Sequence, residues 1–340
     1  MVKTQIQHIP EQRLGDFWLL SSNGRRNDPQ QREETIMENN GVRGKKRVIC
    51  IAAFAVAAAA LLTAVYVRTN PKWRAAQLTI EPAGRFFEIQ SLAPEGMTLE
   101  TRILPPEGYT RVPAEDGSFA EYLRGYPLLP DDTKLPVFDG STLNSTDIAA
   151  IFDISLGDEG YQQCADSVIR LYSDYFYETG QYDRISFQFS NGDVCDYGRW
   201  RKGKRMLVLS GLSCEIPAAL PDKSHQQYMN YLKEVMRYSG TLSLQNESEV
   251  ISSDDMRIGD IICNDVHVVM IVDEAANEKG EKCYLIGQSF IPAVCFHILT
   301  HTEGREVSPW FTQAELEKEQ FTVGAFPFRK EDIRRWKDGF

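Results

Sequence analysis

Three side chains in this sequence are of the types that acyl transfer needs: the thiol of Cys164, the imidazole of His267 and the carboxamide of Gln288. Cys164 stands in GYQQCADSVIRLY, early in a predicted helix, where the partial positive charge of a helix N-terminus favours a thiolate, the nucleophilic form. A nucleophile also needs a base, and His267 heads an apolar run after the Gly-Asp turn in RIGDIICNDVHVVMIVDE. Gln288, in the following YLIGQSF, offers the group that fixes an imidazole through its second nitrogen. In that chemistry Cys164 attacks a carbonyl and His267 takes and returns the proton, while backbone N–H groups near Cys164, with Gln162 or Gln163, hold the oxyanion. A plainer reading stands beside it. Cys164 shares a helical stripe with Val168, Leu171 and Tyr175, as a packed cysteine does, and His267 also fits a hydrogen-bonded strand histidine.

The elements that would position these residues follow from periodicity and turn signals. Residues 118–126 read as a short helix with Ser118 as N-cap and Glu121 completing a capping box, and residues 149–154 as a strand. A long helix follows, capped by Asp158 and stopped by Gly180, which places Cys164 roughly six residues inside it. Residues 185–189 and 205–209 alternate as strands, and 225–238 form a second amphipathic helix. Runs at 259–262, 266–272, 283–288 and 294–299 then turn the chain to sheet. The expected fold class is α+β, two main helices packed on a largely antiparallel sheet. Neither a Rossmann nor a P-loop glycine pattern is present.

The chain has 340 residues, 42% hydrophobic and 25% charged, with a net charge of −11. That acidity excludes general nucleic-acid binding, which needs cations against phosphate. Residues 48–67, VICIAAFAVAAAALLTAVYV, form a run of 20 without a charge, bracketed by Lys45, Lys46, Arg47 and Arg68. At about 1.5 Å per residue this spans a hydrocarbon core of about 30 Å, so the expected partner is the cell membrane. The basic cluster keeps the N-terminal side in the cytoplasm, giving a single-pass protein with an extracytoplasmic C-terminal domain. The expected order is a flexible cytoplasmic tail over 1–47, a signal anchor over 48–67, a spacer over 68–97 and one globular domain over 98–340. Met37 offers an alternative start, which would make the apolar run a candidate for cleavage. Residues 1–47 carry nine basic and six acidic residues, net +3, so the remainder carries −14. Six of the seven cysteines fall in the exported part, as disulfides or buried thiols whose pairing spacing cannot choose.

Cysteine on a helix, histidine on a strand and an amide on the next strand, in that chain order, resemble papain-like cysteine hydrolases, including exported amidases that cut cell-wall peptides. The segments EGYTRVP, SFAEYLR, YQQCADSVIRLY, FSNGDVCDYGRWRKGKR, RIGDII, VHVVMIVD, IGQSFIPA, FHIL and SPWF also resemble, in order, a bacterial exported family catalogued as a domain of unknown function, over about 107–340. That resemblance implies recurring positions at Gln163, Cys164, Asp166, Arg170, Trp200, His267, Gln288 and Trp310. Two departures matter: Ile148 stands where the family has a histidine, and Val266 where it has a glycine before His267, which narrows access to the ring.

Other constellations carry less. His297 and His301 straddle a strand end rather than share a helical face, so no metal set is assigned, and nothing asks for a cofactor. Asp166 and Arg170, one helical turn apart, read as a local ion pair. Two functions remain: a membrane-anchored cysteine hydrolase cutting peptide or amide bonds in the envelope, and a non-catalytic envelope domain that binds peptide or glycan.

Overall fold

The computed structural model describes residues 91–144, 147–300 and 307–337, all within the second of two compact units, Pro82–Phe340. The tail, the apolar run at 48–67 and most of the spacer lie outside the described residues. Among the described residues no helix is long and apolar enough to cross a membrane.

The fold is α+β, built on a nine-stranded sheet whose pairings are all antiparallel. Its strands are β1 (Tyr109–Arg111), β2 (Ile148–Ile151), β3 (Ser248–Val250), β4 (Ile261–Cys263), β5 (Val268–Asn277), β6 (Lys282–Gln288), β7 (His297–Leu299) and β8 (Phe311–Thr312). A separate hairpin, β9 (Gln320–Val323) with β10 (Phe326–Arg329), precedes the ninth sheet strand, β11 (Ile333–Trp336). The order across the sheet is β2-β7-β6-β5-β4-β11-β3, with β1 pairing the far end of β5 and β8 the far end of β6.

Strand β5 explains why the rest assembles around it. Its residues from Val268 to Ala275 are all buried, so both faces must be covered and both edges paired. Val268, Met270 and Val272 enter one apolar cluster together with Val168, Ile169 and Tyr172, whereas Val269 and Ile271 enter another with Phe321, Val323 and Phe328. The first face is thus covered by the helix carrying Cys164 and the second by the β9–β10 hairpin. Of the two carboxylates buried in this strand, Asp273 is 0% exposed and accepts from Arg111 Nε at 2.6 Å and from the Nε of Arg124 at 2.8 Å, while Glu274 pairs with Lys282. The two guanidiniums tie β1 and helix α1 (Phe119–Arg124) to the sheet.

Helix α1 starts as its sequence dictates, with Ser118 Oγ accepting from Glu121 N, although the Glu121 carboxylate reaches back to Gly117 N rather than to Ser118. Helix α2 (Cys164–Glu178) starts later than expected. Gly157 and Gly160 sit in the left-handed region at φ 66° and 67°, so the backbone cannot run helically from Asp158. The N-cap is Gln163, whose N–H is taken by the Asp166 carboxylate at 3.1 Å. Cys164 is therefore the first residue of its helix, not one buried a turn and a half inside. The expected Asp166–Arg170 pair is replaced as well: Arg170 Nε bonds Asp174 Oδ2 at 2.5 Å. Helix α3 (His225–Tyr238), capped by Ser224, packs on α2, with the Tyr228 hydroxyl donating to Asp174 Oδ1.

The buried triad sets a stability test. Replacing Asp273 with Ala leaves two guanidiniums facing an apolar strand, and the expected loss is about 3–5 kcal/mol. Urea unfolding of wild type and Asp273→Ala checks it; a loss under about 1 kcal/mol would contradict the role given to this carboxylate.

Candidate active site

The first turn of α2 puts Cys164 against the start of β5. Its sulfur is half-buried, and burial raises the thiol pKa above its ordinary value. The backbone N–H groups of Ala165, Val268 and Cys164 itself oppose that rise, while the nearby Asp166 carboxyl adds to it. Two of those donors belong to a helix N-terminus, whose first N–H groups have no partner within the helix. The third comes from the sheet. Ile271 N bonds Asp260 O and Gly259 N bonds Ile271 O on the β4 side, so the even-numbered residues of β5 turn their N–H groups toward β6. The β5–β6 ladder ends at Met270 opposite Gly287, and the next N–H along that edge is that of Val268, which holds the Cys164 thiol pKa down.

His267 is 2% exposed. Its ring stacks on Phe326 of the hairpin, centroids 3.7 Å apart and 16° from parallel, and its Nε2 lies 2.9 Å from Gln288 Oε1. Burial lowers the imidazole pKa and the Gln288 hydrogen bond raises it in part, leaving it below its ordinary value. Gln288 stands directly opposite His297 on β7, and its Nε2 is 3.3 Å from His297 Nε2. His297 Nδ1 closes the row at 2.9 Å from the carbonyl of Cys295. A close approach permits this row: a Cβ at Gly287 would stand 2.3 Å from the Phe296 ring, so only glycine fits beside Gln288.

The structure thus brings His267 and Gln288 together. It sets Cys164 near the backbone of Val268, the residue after His267, whose N–H holds the thiol pKa down. Of the two amides proposed to hold an oxyanion, Gln163 donates from its Nε2 to Gly160 O at 3.3 Å. Gln162 is 2% exposed and anchored by Arg170 Nη1 on its Oε1 at 3.3 Å, and its Nε2 is buried without a hydrogen-bond partner. Asp166 Oδ1 and Ser167 Oγ, on the same turn, are also buried without one. Burial pushes the Asp166 carboxyl up to about 8, so near neutral pH it is largely protonated and the charge that would oppose a thiolate is removed.

Val266 is 75% exposed and turned to solvent, lining a cleft of about 520 Å³ with Asn264, Asp265 and Phe328. Ile148 pairs with Leu299 on the outermost strand, separated from β5 by β7 and β6. The six described cysteines are free thiols, Cys195, Cys263, Cys283 and Cys295 buried and Cys214 exposed. Among the described residues no group of three or more His, Cys, Asp and Glu side chains could hold a metal; His301 lies outside them.

His297 is the site residue that sequence reasoning missed. It stood out only as half of a weak histidine pair, whereas its place here depends on register: hairpin pairing sets it across from Gln288. Phe326 gave no signal at all, because stacking on a histidine 59 positions away leaves no local pattern.

An α+β domain with a cysteine, a histidine and an amide at one end of its sheet is the class that fold and site define. The chain belongs to the family described as Domain of unknown function (4846), whose model matches residues 99–335. Neither a curated protein nor a solved structure matches it.

The buried histidine row has a pH signature. Burial lowers His297 from its ordinary value of 6.5 to about 4. A base whose folded pKa is depressed supports folding above its unfolded pKa, and that support is lost as pH falls, here between about 6.5 and about 4. The expected loss from His297 is roughly 3 kcal/mol across that window. Unfolding free energy measured against pH should flatten in His297→Gln, and parallel slopes in the two proteins would count against it.

Proposed function

We propose that this protein is a membrane-anchored, extracytoplasmic cysteine hydrolase of papain-like arrangement that cuts peptide or amide bonds in the cell envelope. The observation that carries the reading is the hydrogen-bonded row at the sheet end. With Gln288 Oε1 accepting from His267 Nε2–H, the free lone pair of that imidazole is on Nδ1, the atom available as a base. In the proposed reaction Cys164 Sγ bonds the substrate carbonyl carbon as its proton passes to His267 Nδ1. The same proton then goes to the departing amine as the C–N bond breaks, and water releases the acyl group from sulfur. The N–H groups of Cys164 and Ala165, at the start of α2, suit the oxyanion, with the unpartnered Gln162 Nε2 as the side-chain donor. Burial raises the thiol and lowers the imidazole, which supports a neutral resting pair activated by general-base transfer rather than a standing ion pair.

A non-catalytic envelope-binding domain is the second reading, favoured by one observation: the imidazole is almost wholly covered, with Phe326 stacked on it. A peptidyl acyloxymethyl ketone separates the two. Labelling must be mapped by peptide, because Cys214 is exposed. The expected result is modification of Cys164, none at that position in Cys164→Ala, and a rate lower by about 10²-fold in His267→Ala. Equal rates in wild type and His267→Ala would leave the binding reading.

The anchor is tested separately. Protease added to cells with the outer barrier opened should remove the C-terminal domain and spare a tag at residue 1. A wholly soluble full-length product would refute the anchor, and a digested tag with a protected domain would reverse the orientation.

A further inference from the structure

We infer that His297 is a positioning residue for the proposed hydrolysis: it fixes the Gln288 amide, and through it the tautomer of His267 that leaves Nδ1 free. The inference rests on the hydrolase reading and adds a residue to it.

The direction of the row follows from one group that has no choice. The carbonyl of Cys295 can only accept, so the proton of a neutral His297 sits on Nδ1, 2.9 Å away. His297 Nε2 is then an acceptor, and its partner at 3.3 Å must be the amino group of Gln288. That leaves Gln288 Oε1 facing His267 at 2.9 Å, and an oxygen there requires Nε2–H on His267. Every step is forced by donor and acceptor count. His297 is 1% exposed and held neutral by burial, so the row does not reverse by protonation near neutral pH. Its ring has little freedom either, since Phe290 meets it edge-on with centroids 5.6 Å apart.

An amide can flip. Without the acceptor at position 297, Gln288 could turn its amino group toward His267 Nε2, which would then accept, and the proton would move to Nδ1. The imidazole would stay in place with its base facing the wrong way. A residue that merely fills space at 297 predicts no such change, which makes the tautomer the decisive readout.

The test uses the full chain, ¹⁵N-labelled at its five histidines, with the peptidyl acyloxymethyl ketone as the reaction probe. In wild type, His267 should be Nε2–H and His297 Nδ1–H by nitrogen chemical shift. In His297→Phe, His267 should shift toward Nδ1–H and labelling of Cys164 should slow by about tenfold, the factor that losing one hydrogen-bond preference of ordinary strength produces. In His297→Gln, whose Oε1 can accept from Gln288, His267 should keep Nε2–H and labelling should stay close to wild type. A wild-type His297 protonated on Nε2 overturns the inference without any variant, as does a His297→Phe protein with unchanged tautomer and labelling. If His297→Phe fails to fold, the wild-type tautomers and His297→Gln decide alone, slow labelling in the latter counting against the role. Labelling of Cys164 that ignores His267→Ala overturns the hydrolase reading and the role of His297 with it. The wild-type tautomers tell that outcome from a failure of the row itself.

Discussion

Everything in this domain answers to the burial of strand β5 on both faces. A strand without a wet side cannot leave a polar group unmatched, because burying an unpaired one costs several kcal/mol. Its side chains therefore divide between two apolar clusters, one under α2 and one under the β9–β10 hairpin. Its deepest carboxylate, Asp273, draws in two arginines from β1 and α1, and the histidine that precedes the strand requires a polar partner on the neighbouring strand. The same constraint accounts for structural features and for the candidate site, which is where the pairing of β5 changes hands.

That change of hands matters more than the list of side chains. A ladder that ran one step further would take the Val268 N–H into the sheet; here the β5–β6 pairing stops at Met270, and the first residue of α2 lies near that N–H, which holds its thiol pKa down. The helix offers its own unpaired N–H groups at the same point. A sheet edge and a helix N-terminus meet near Cys164. The buried polar atoms of Gln162, Asp166 and Ser167 that lack partners sit on this turn, where an ordinary structural turn would have satisfied them.

How much of this was legible in the sequence depended on whether the signal was local. Helices α1 and α3 were, because serine caps and apolar spacing mark their ends. The sheet strands from β4 to β7 were, because long apolar runs between turns have few other readings. The start of α2 was not: Asp158 is a good cap by type, but the glycines at 157 and 160 hold left-handed backbone that a helix excludes, and the true cap is a glutamine, a poor one by propensity. Strand β11, IRRW, carries its charges into pairing with β4 and β3, and alternation could not reveal it because its place is fixed by distant partners. Of the candidate site, type and order singled out Cys164, His267 and Gln288, and the last two are hydrogen-bonded to one another. The places of His297, Val268 and Phe326 were not legible, since they depend on register, backbone and stacking.

The electrostatics of the site point one way throughout. Burial disfavours charge on every titratable group there, raising Cys164 and Asp166 and lowering His267 and His297, so the resting arrangement is neutral from end to end. A low-dielectric site of this kind gains nothing from a standing thiolate–imidazolium pair, which would have to be desolvated twice. For the hydrolysis proposed above, it favours a course in which charge first develops on the substrate oxygen while the proton moves between neutral partners. The donors that restrain the rise of the thiol pKa are then the same ones that would stabilise the oxyanion. The neutral amide and neutral imidazole behind His267 hold its tautomer by hydrogen-bond count alone, without placing a carboxylate in a site that cannot solvate one.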